Sequence, residues 1–130
     1  MTRLRNLAST LLANQHGSSA VEFALVAPIL IMFIIGGMYL SMLGFTASSL
    51  HFATQAGARC ASINTTSCNN AATIQSYALQ QFINITGNTA TFTATTPTCG
   101  NQVAATVNFR LVTGISTITV PLTASACFPS

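Results

Sequence analysis

The chain has 130 residues, enough for one domain, with half of them hydrophobic, a mean hydropathy of +0.57 and only 4% charged. Its charged side chains are Arg3, Arg5, Glu22, Arg59 and Arg110, and it contains neither Lys nor Asp. Cations this scattered do not make the phosphate-neutralising cluster that nucleic acid requires, and one carboxylate with His16 and His51 supplies no acid–base pair. The expectation is a protein that is not an enzyme, uses no cofactor and binds no nucleic acid.

The first residues are a basic leader, 1–17, carrying Arg3 and Arg5. From Phe23 to Leu40 the chain reads F-A-L-V-A-P-I-L-I-M-F-I-I-G-G-M-Y-L without a charge, a length that crosses a hydrocarbon core as a helix. Pro28 is tolerable there, since membrane helices accept a proline, usually with a kink. Two arginines before the segment and none after it until Arg59 hold the N-terminus in the cytoplasm and send the rest across. A cleaved signal peptide would have a shorter leader and a shorter apolar run, with a small-residue site such as Thr46-Ala47-Ser48.

His16-Gly17-Ser18-Ser19-Ala20-Val21-Glu22-Phe23 precedes and enters this run. A Gly before the hydrophobic segment and a Glu five residues later resemble the processing site of type IV prepilins. The resemblance implies cleavage by a prepilin peptidase between Gly17 and Ser18, which makes Glu22 the fifth residue of the mature chain. An acid at the end of a membrane helix is costly without a partner. Cleavage would create an α-amine on Ser18 that is largely protonated at neutral pH. In pilin-like proteins the acid is thought to attract the N-terminus of a neighbouring subunit. Alternatively, Glu22 sits unpartnered at the headgroup boundary.

The stretch S-A-V-E-F-A-L-V-A-P-I-L-I, Ser19 to Ile31, resembles the N-terminal signature of TadE-like proteins of the tight-adherence (Flp pilus) system. Ala53-Thr54-Gln55-Ala56-Gly57-Ala58-Arg59 is similar to that family's helix end, a small-residue stretch closing on an A-R pair. The likeness covers about residues 16–60. Phe23 stands where major Flp pilins typically have Tyr, and the chain is longer than theirs, which favours a minor pilin or pseudopilin. The partners so implied are the peptidase, other pilin or pseudopilin subunits, an inner-membrane assembly platform and membrane lipid. The implied location is the inner membrane, single-pass, with the head in the periplasm and possible entry into an extracellular pilus. The alternatives are a major structural pilin and a membrane-tethered extracytoplasmic binding domain.

Helical spacing continues beyond the membrane through Leu43, Ala47, Leu50, Ala53 (or Thr54) and Gly57. Gly36, Gly37, Gly44 and the alanines around Gly57 allow close approach of helix backbones, toward other subunits or toward the chain's own head. The transmembrane and extended helix is therefore placed at 18–60 and an exported head at 61–130.

In the head, Ser62 to Asn70 reads as a loop. Asn70 caps a helix from about Ala71 to Ile85, with Ile74, Ala78, Phe82 (or Gln81) and Ile85 on one face, Leu79 and Ile83 widening it, and Gly87-Asn88 as the stop. Three alternating stretches follow: Ala90, Phe92 and Ala94; Val103, Ala105, Val107, Phe109 and Leu111; Ile118, Val120, Leu122 and Ala124. Pro121 argues for an edge strand. With Thr113-Gly114 as a two-residue turn and Val112 opposite Ile115, Phe109 faces Ile118, Val107 faces Val120, Ala105 faces Leu122 and Val103 faces Ala124. The fold class is thus α+β: a long N-terminal transmembrane helix and a small disulfide-bonded head with one helix and a three-stranded antiparallel sheet.

The four cysteines allow three pairings. Zinc would need a close Cys pair or nearby His, and neither is present. The strand register sets Cys127 opposite Gly100, beside Cys99, and so favours Cys99–Cys127, leaving Cys60–Cys68. Two N-x-S/T sequons, at Asn64 and Asn84, are no more than a Thr-rich chain produces by chance.

Overall fold

The computed structural model describes residues 16–85, 87–112 and 116–129, with side chains from Ser19 onward. Arg3, Arg5 and most of the leader, and the expected Thr113-Gly114 turn, lie outside the described residues. The elements are α1 (His16–Ile63), α2 (Ala71–Gln81), β1 (Ala90–Thr95), β2 (Asn101–Val112) and β3 (Thr117–Phe128). Contacts divide the chain into two units, 1–38 and 39–130. The described residues of the first are apolar helix; the second is the α+β head, which includes the C-terminal part of α1.

In the head, α1 turns one narrow stripe inward. Leu50, Ala53, Thr54 and Ala58 are fully buried, and Thr46, Ser49 and Ala61 nearly so. Their three- and four-residue spacing is the helical period. The buried hydroxyls cost little because the helix backbone accepts them: Thr46 Oγ1 donates to the Met42 carbonyl and Thr54 Oγ1 to that of His51, both at 2.8 Å. Small residues dominate the stripe because α1 lies close to its neighbours. A Cβ added at Gly57 would stand 3.0 Å from Ala78 Cβ on α2 and 3.5 Å from a Val103 methyl on β2.

The sheet order is β1-β2-β3, antiparallel throughout. Central β2 has a strand on each side, and its inward residues Val103, Ala105, Val107 and Phe109 are at most 2% exposed. Pro121 falls on β3, an edge strand, as its missing N–H demands.

The register differs from the expected one by two residues. Phe109 pairs with Val120, Val107 with Leu122, Ala105 with Ala124 and Val103 with Ala126, while Val112 pairs with Thr117. The last strand pair is Val112 with Thr117, where the expected register set Val112 opposite Ile115. A shift of two leaves every side chain on the same face, so the inward set survives although each partner changes.

Helix α2 also departs from expectation. Its start is as read: Asn70 Oδ1 accepts from Thr73 N–H at 2.9 Å, and Thr73 Oγ1 accepts from Asn70 N–H at 3.2 Å, a reciprocal cap. Its end comes at Gln81, well before Ile85, and Phe82 is already extended (φ −79°, ψ 113°). The cause lies on α1. Ser49 Oγ accepts from Ile83 N–H at 2.8 Å and donates to the Ile83 carbonyl at 3.3 Å, drawing the chain off the helical path. Phe82 then turns inward, edge-on to Phe92 with ring centres 6.2 Å apart. Ala78 and Phe82 are buried as expected, and Ile74 packs against the core. Leu79, Ile83 and Ile85 are exposed instead of forming part of the inner face.

Two disulfides close the head, Cys60–Cys68 and Cys99–Cys127, with Cα separations of 5.9 and 6.4 Å. The pairing is the expected one even though Cys127 lies opposite Gln102. Gly100, at φ 117°, takes a backbone conformation that side chains disfavour, and its N–H bonds to the Pro97 carbonyl at 3.0 Å. That tight turn returns Cys99 alongside the end of β3.

Candidate functional site

The residues singled out by sequence fall in two places. Gly17, Ser18, Glu22 and Phe23 lie in the N-terminal turns of α1, which starts at His16; the side-chain surroundings of Gly17 and Ser18 lie outside the described residues. Ser18 and Glu22 are four residues apart, one turn of helix, and therefore on one face. Glu22 is exposed and Phe23 is 71% exposed.

Apolar side chains surround this part of α1 on all sides. The consecutive residues Ile29 to Ile35 are all exposed in the isolated chain, from 49% at Ile35 to 76% at Phe33. No stripe is turned inward, as an amphipathic helix of a soluble head would require. The stretch Ser19–Ile63 is long and apolar enough to cross a membrane, and its most apolar window, of mean hydropathy 2.4, is entirely unburied. This is the pattern of a single-pass membrane protein. Pro28 sits inside it. Lacking an N–H, it leaves the Ala24 carbonyl without the usual helix bond.

The small residues of α1 divide by role. At Gly36 and Gly44 an added Cβ would meet nothing within 4 Å, whereas at Gly57 it would meet α2 and β2. The downstream A-R pair divides in the same way: Ala58 is fully buried and Arg59 points outward. Arg59 borders a shallow cleft of about 710 Å³ with Phe52, Ile63, Tyr77 and Gln81. A second cleft, about 490 Å³, is lined mainly by Thr, Asn and apolar residues including Ile74 and Val103. Neither cleft is lined by a carboxylate or an imidazole. Among the described residues there is no cluster of three His, Cys, Asp or Glu that could hold a metal. The four cysteines are all used in disulfides.

Sequence reading missed Ser49, which shapes the head by seizing Ile83. A lone serine in a helix gives no sequence signal; only its burial beside an extended backbone reveals it.

The apolar helix that bears Glu22 gives the chain the character of a single-pass membrane protein. More narrowly, the family model described as TadE-like protein matches residues 17–59, so that α1 from Gly17 to Arg59 is a TadE-like segment and points to a role in the Tad pilus system. No curated protein and no solved structure matches the chain. The matched segment ends four residues before α1 does, and the rest of the head lies outside the match.

Proposed function

We propose that the protein is a minor pilin or pseudopilin that takes part in assembling a tight-adherence, type IV-like pilus, by packing α1 against the helices of other subunits after removal of its leader. The observation that carries this reading is the coincidence of the TadE-like match, residues 17–59, with a helix whose membrane-length part is apolar and uncovered on every side. Such a helix lowers its free energy in lipid or among other apolar helices. Gly36 and Gly44 offer close approach that the chain itself does not use.

A prepilin peptidase cuts between Gly17 and Ser18, and the new amine of one subunit pairs with Glu22 of the next. The pair sets the axial register and neutralises a charge that lipid tolerates poorly. The protein acts without catalysis of its own and passes to an inner-membrane assembly platform. Its head lies on the periplasmic side, which agrees with Arg3 and Arg5 preceding the span and with two disulfides in an oxidising compartment.

Mass spectrometry of the mature protein from membranes tests the reading directly. The expected N-terminus is Ser18. Recovery of the working protein with Met1 to Gly17 still attached would overturn it.

A further inference from the structure

Within the head, α1 has two opposite faces. One carries Leu50, Thr54 and Ala58 into the core, all fully buried. The other carries Phe52, Ala56, Arg59 and Ile63, whose three- and four-residue spacing keeps them on a single stripe about 16 Å long. With Tyr77 and Gln81 of α2 and Phe128 of β3, this stripe lines one cleft. All of these residues belong to the unit 39–130.

The cleft combines open apolar surface with an unanswered charge. Phe52 is 58% exposed and Ile63 70%, and Tyr77 is exposed beside them. Covering such surface is favourable, and an apolar patch rimmed by polar groups marks a protein contact site. Aromatic side chains and arginine are the residues that such contacts favour. Arg59 is exposed, and its guanidinium has no hydrogen-bond or ion-pair partner among the described residues. The head contains no carboxylate side chain, since Glu22 is the only one in the sequence. A planar fork of donors therefore stands at the cleft with no carboxylate side chain of its own domain to receive it.

Charge complementarity says what fits. A second copy of the head would bring another Arg59 and no carboxylate side chain, so cleft against cleft sets like charges together. A purely apolar segment would cover Phe52 and Ile63 but strip water from Arg59 without replacing its hydrogen bonds. An acidic saccharide would meet Arg59 and leave the apolar stripe without an apolar partner. A polypeptide segment with one carboxylate beside apolar side chains satisfies both demands.

We propose that this cleft docks a segment of a different protein, which lays apolar side chains on Phe52 and Ile63 and places an Asp or Glu carboxylate on Arg59. The guanidinium grips the carboxylate with two parallel hydrogen bonds, which fixes the orientation of the segment as well as its position. The contact is independent of leader cleavage and of the pilus role.

The full chain, one copy per phosphatidylcholine nanodisc, is panned against a displayed library of random twelve-residue peptides after depletion on empty nanodiscs. Retention of both disulfides checks the folding of every variant. The enriched peptides carry Asp or Glu beside Leu, Ile or Phe. Their synthetic copies, followed by fluorescence anisotropy, bind the Arg59→Gln variant about tenfold more weakly. Ile63→Ser weakens them as well, while Arg110→Gln, which alters the exposed arginine on β2, leaves binding unchanged. Replacing the peptide's acid by its amide reproduces the Arg59→Gln loss and adds nothing to it, as a direct pair requires. The proposal fails if no peptide is enriched, if the enriched peptides lack an acid, or if Arg59→Gln binds them as the parent chain does. With no peptide enriched, binding of oligogalacturonate that depends on Arg59 would assign the cleft to an acidic sugar instead. The proposal fails equally if the solubilised chain dimerises and Ile63→Ser abolishes the dimer, because a second copy then occupies the cleft.

Discussion

Replacing Gly57 with Ala sets two opposing effects against each other on one helix. In a helix interior the added methyl group is favourable by about 1 kcal/mol, because Gly gives up more backbone freedom on folding. At Gly57 that methyl would lie 3.0 Å from Ala78 Cβ, with Val103 methyls at 3.5 and 3.7 Å. Carbon atoms prefer about 3.5–4.0 Å. Relief requires α2 to move, since Ala78 is fully buried and has no torsion to turn aside. Overpacking of this kind costs about 1–3 kcal/mol. The sum is a head less stable by about 1 kcal/mol, or a midpoint lowered by about 4–8 °C for a unit of this size. The larger Gly57→Val change would exceed that loss. Gly44→Ala is the control: its methyl has nothing within 4 Å, so only the backbone gain remains. Thermal unfolding of the detergent-solubilised chain, disulfides intact, reads both. Stabilisation by Gly57→Ala equal to that by Gly44→Ala would refute the close approach of α1 to α2.

Ser49→Ala removes the hydroxyl that holds both polar groups of Ile83, and leaving them unpaired costs about 1–3 kcal/mol. Amide exchange at Ile83 should quicken ahead of the strands, and unchanged protection would contradict the clamp. Replacing Cys99 and Cys127 together by Ser opens a loop with a sequence separation of 28, a loss of about 3–4 kcal/mol on the chain-entropy model; the corresponding pair at Cys60 and Cys68 closes a far shorter loop and should cost less, about 2–3 kcal/mol. Equal denaturant midpoints for the two double variants would go against that ordering. Glu22→Gln should leave export and head stability intact while impairing assembly, measured as subunit recovered in sheared surface fractions; normal recovery would remove the proposed pairing with the Ser18 amine.

The membrane-length helix, the class of the head and the cysteine pairing were legible in the residues themselves. Uncharged length and helical or alternating periodicity are local properties, and each survives without knowledge of what the element touches. The cap at Asn70 was readable for the same reason, since donor and acceptor are three residues apart. The A-R pair and the V-E-F-A-L stretch led to the family that the match over residues 17–59 bears out.

The tertiary structure alone decided the end of α2 and the strand register. Helical spacing carries on to Ile85, but Ser49, distant in sequence, takes the Ile83 backbone and turns Phe82 toward Phe92. Alternation with a period of two specifies which face a residue occupies and is blind to a slide of two, so the same inward residues serve either register. The division of small residues is likewise a matter of neighbours: Gly57 and Gly44 look alike along the chain, and only packing tells which faces α2 and which faces open space.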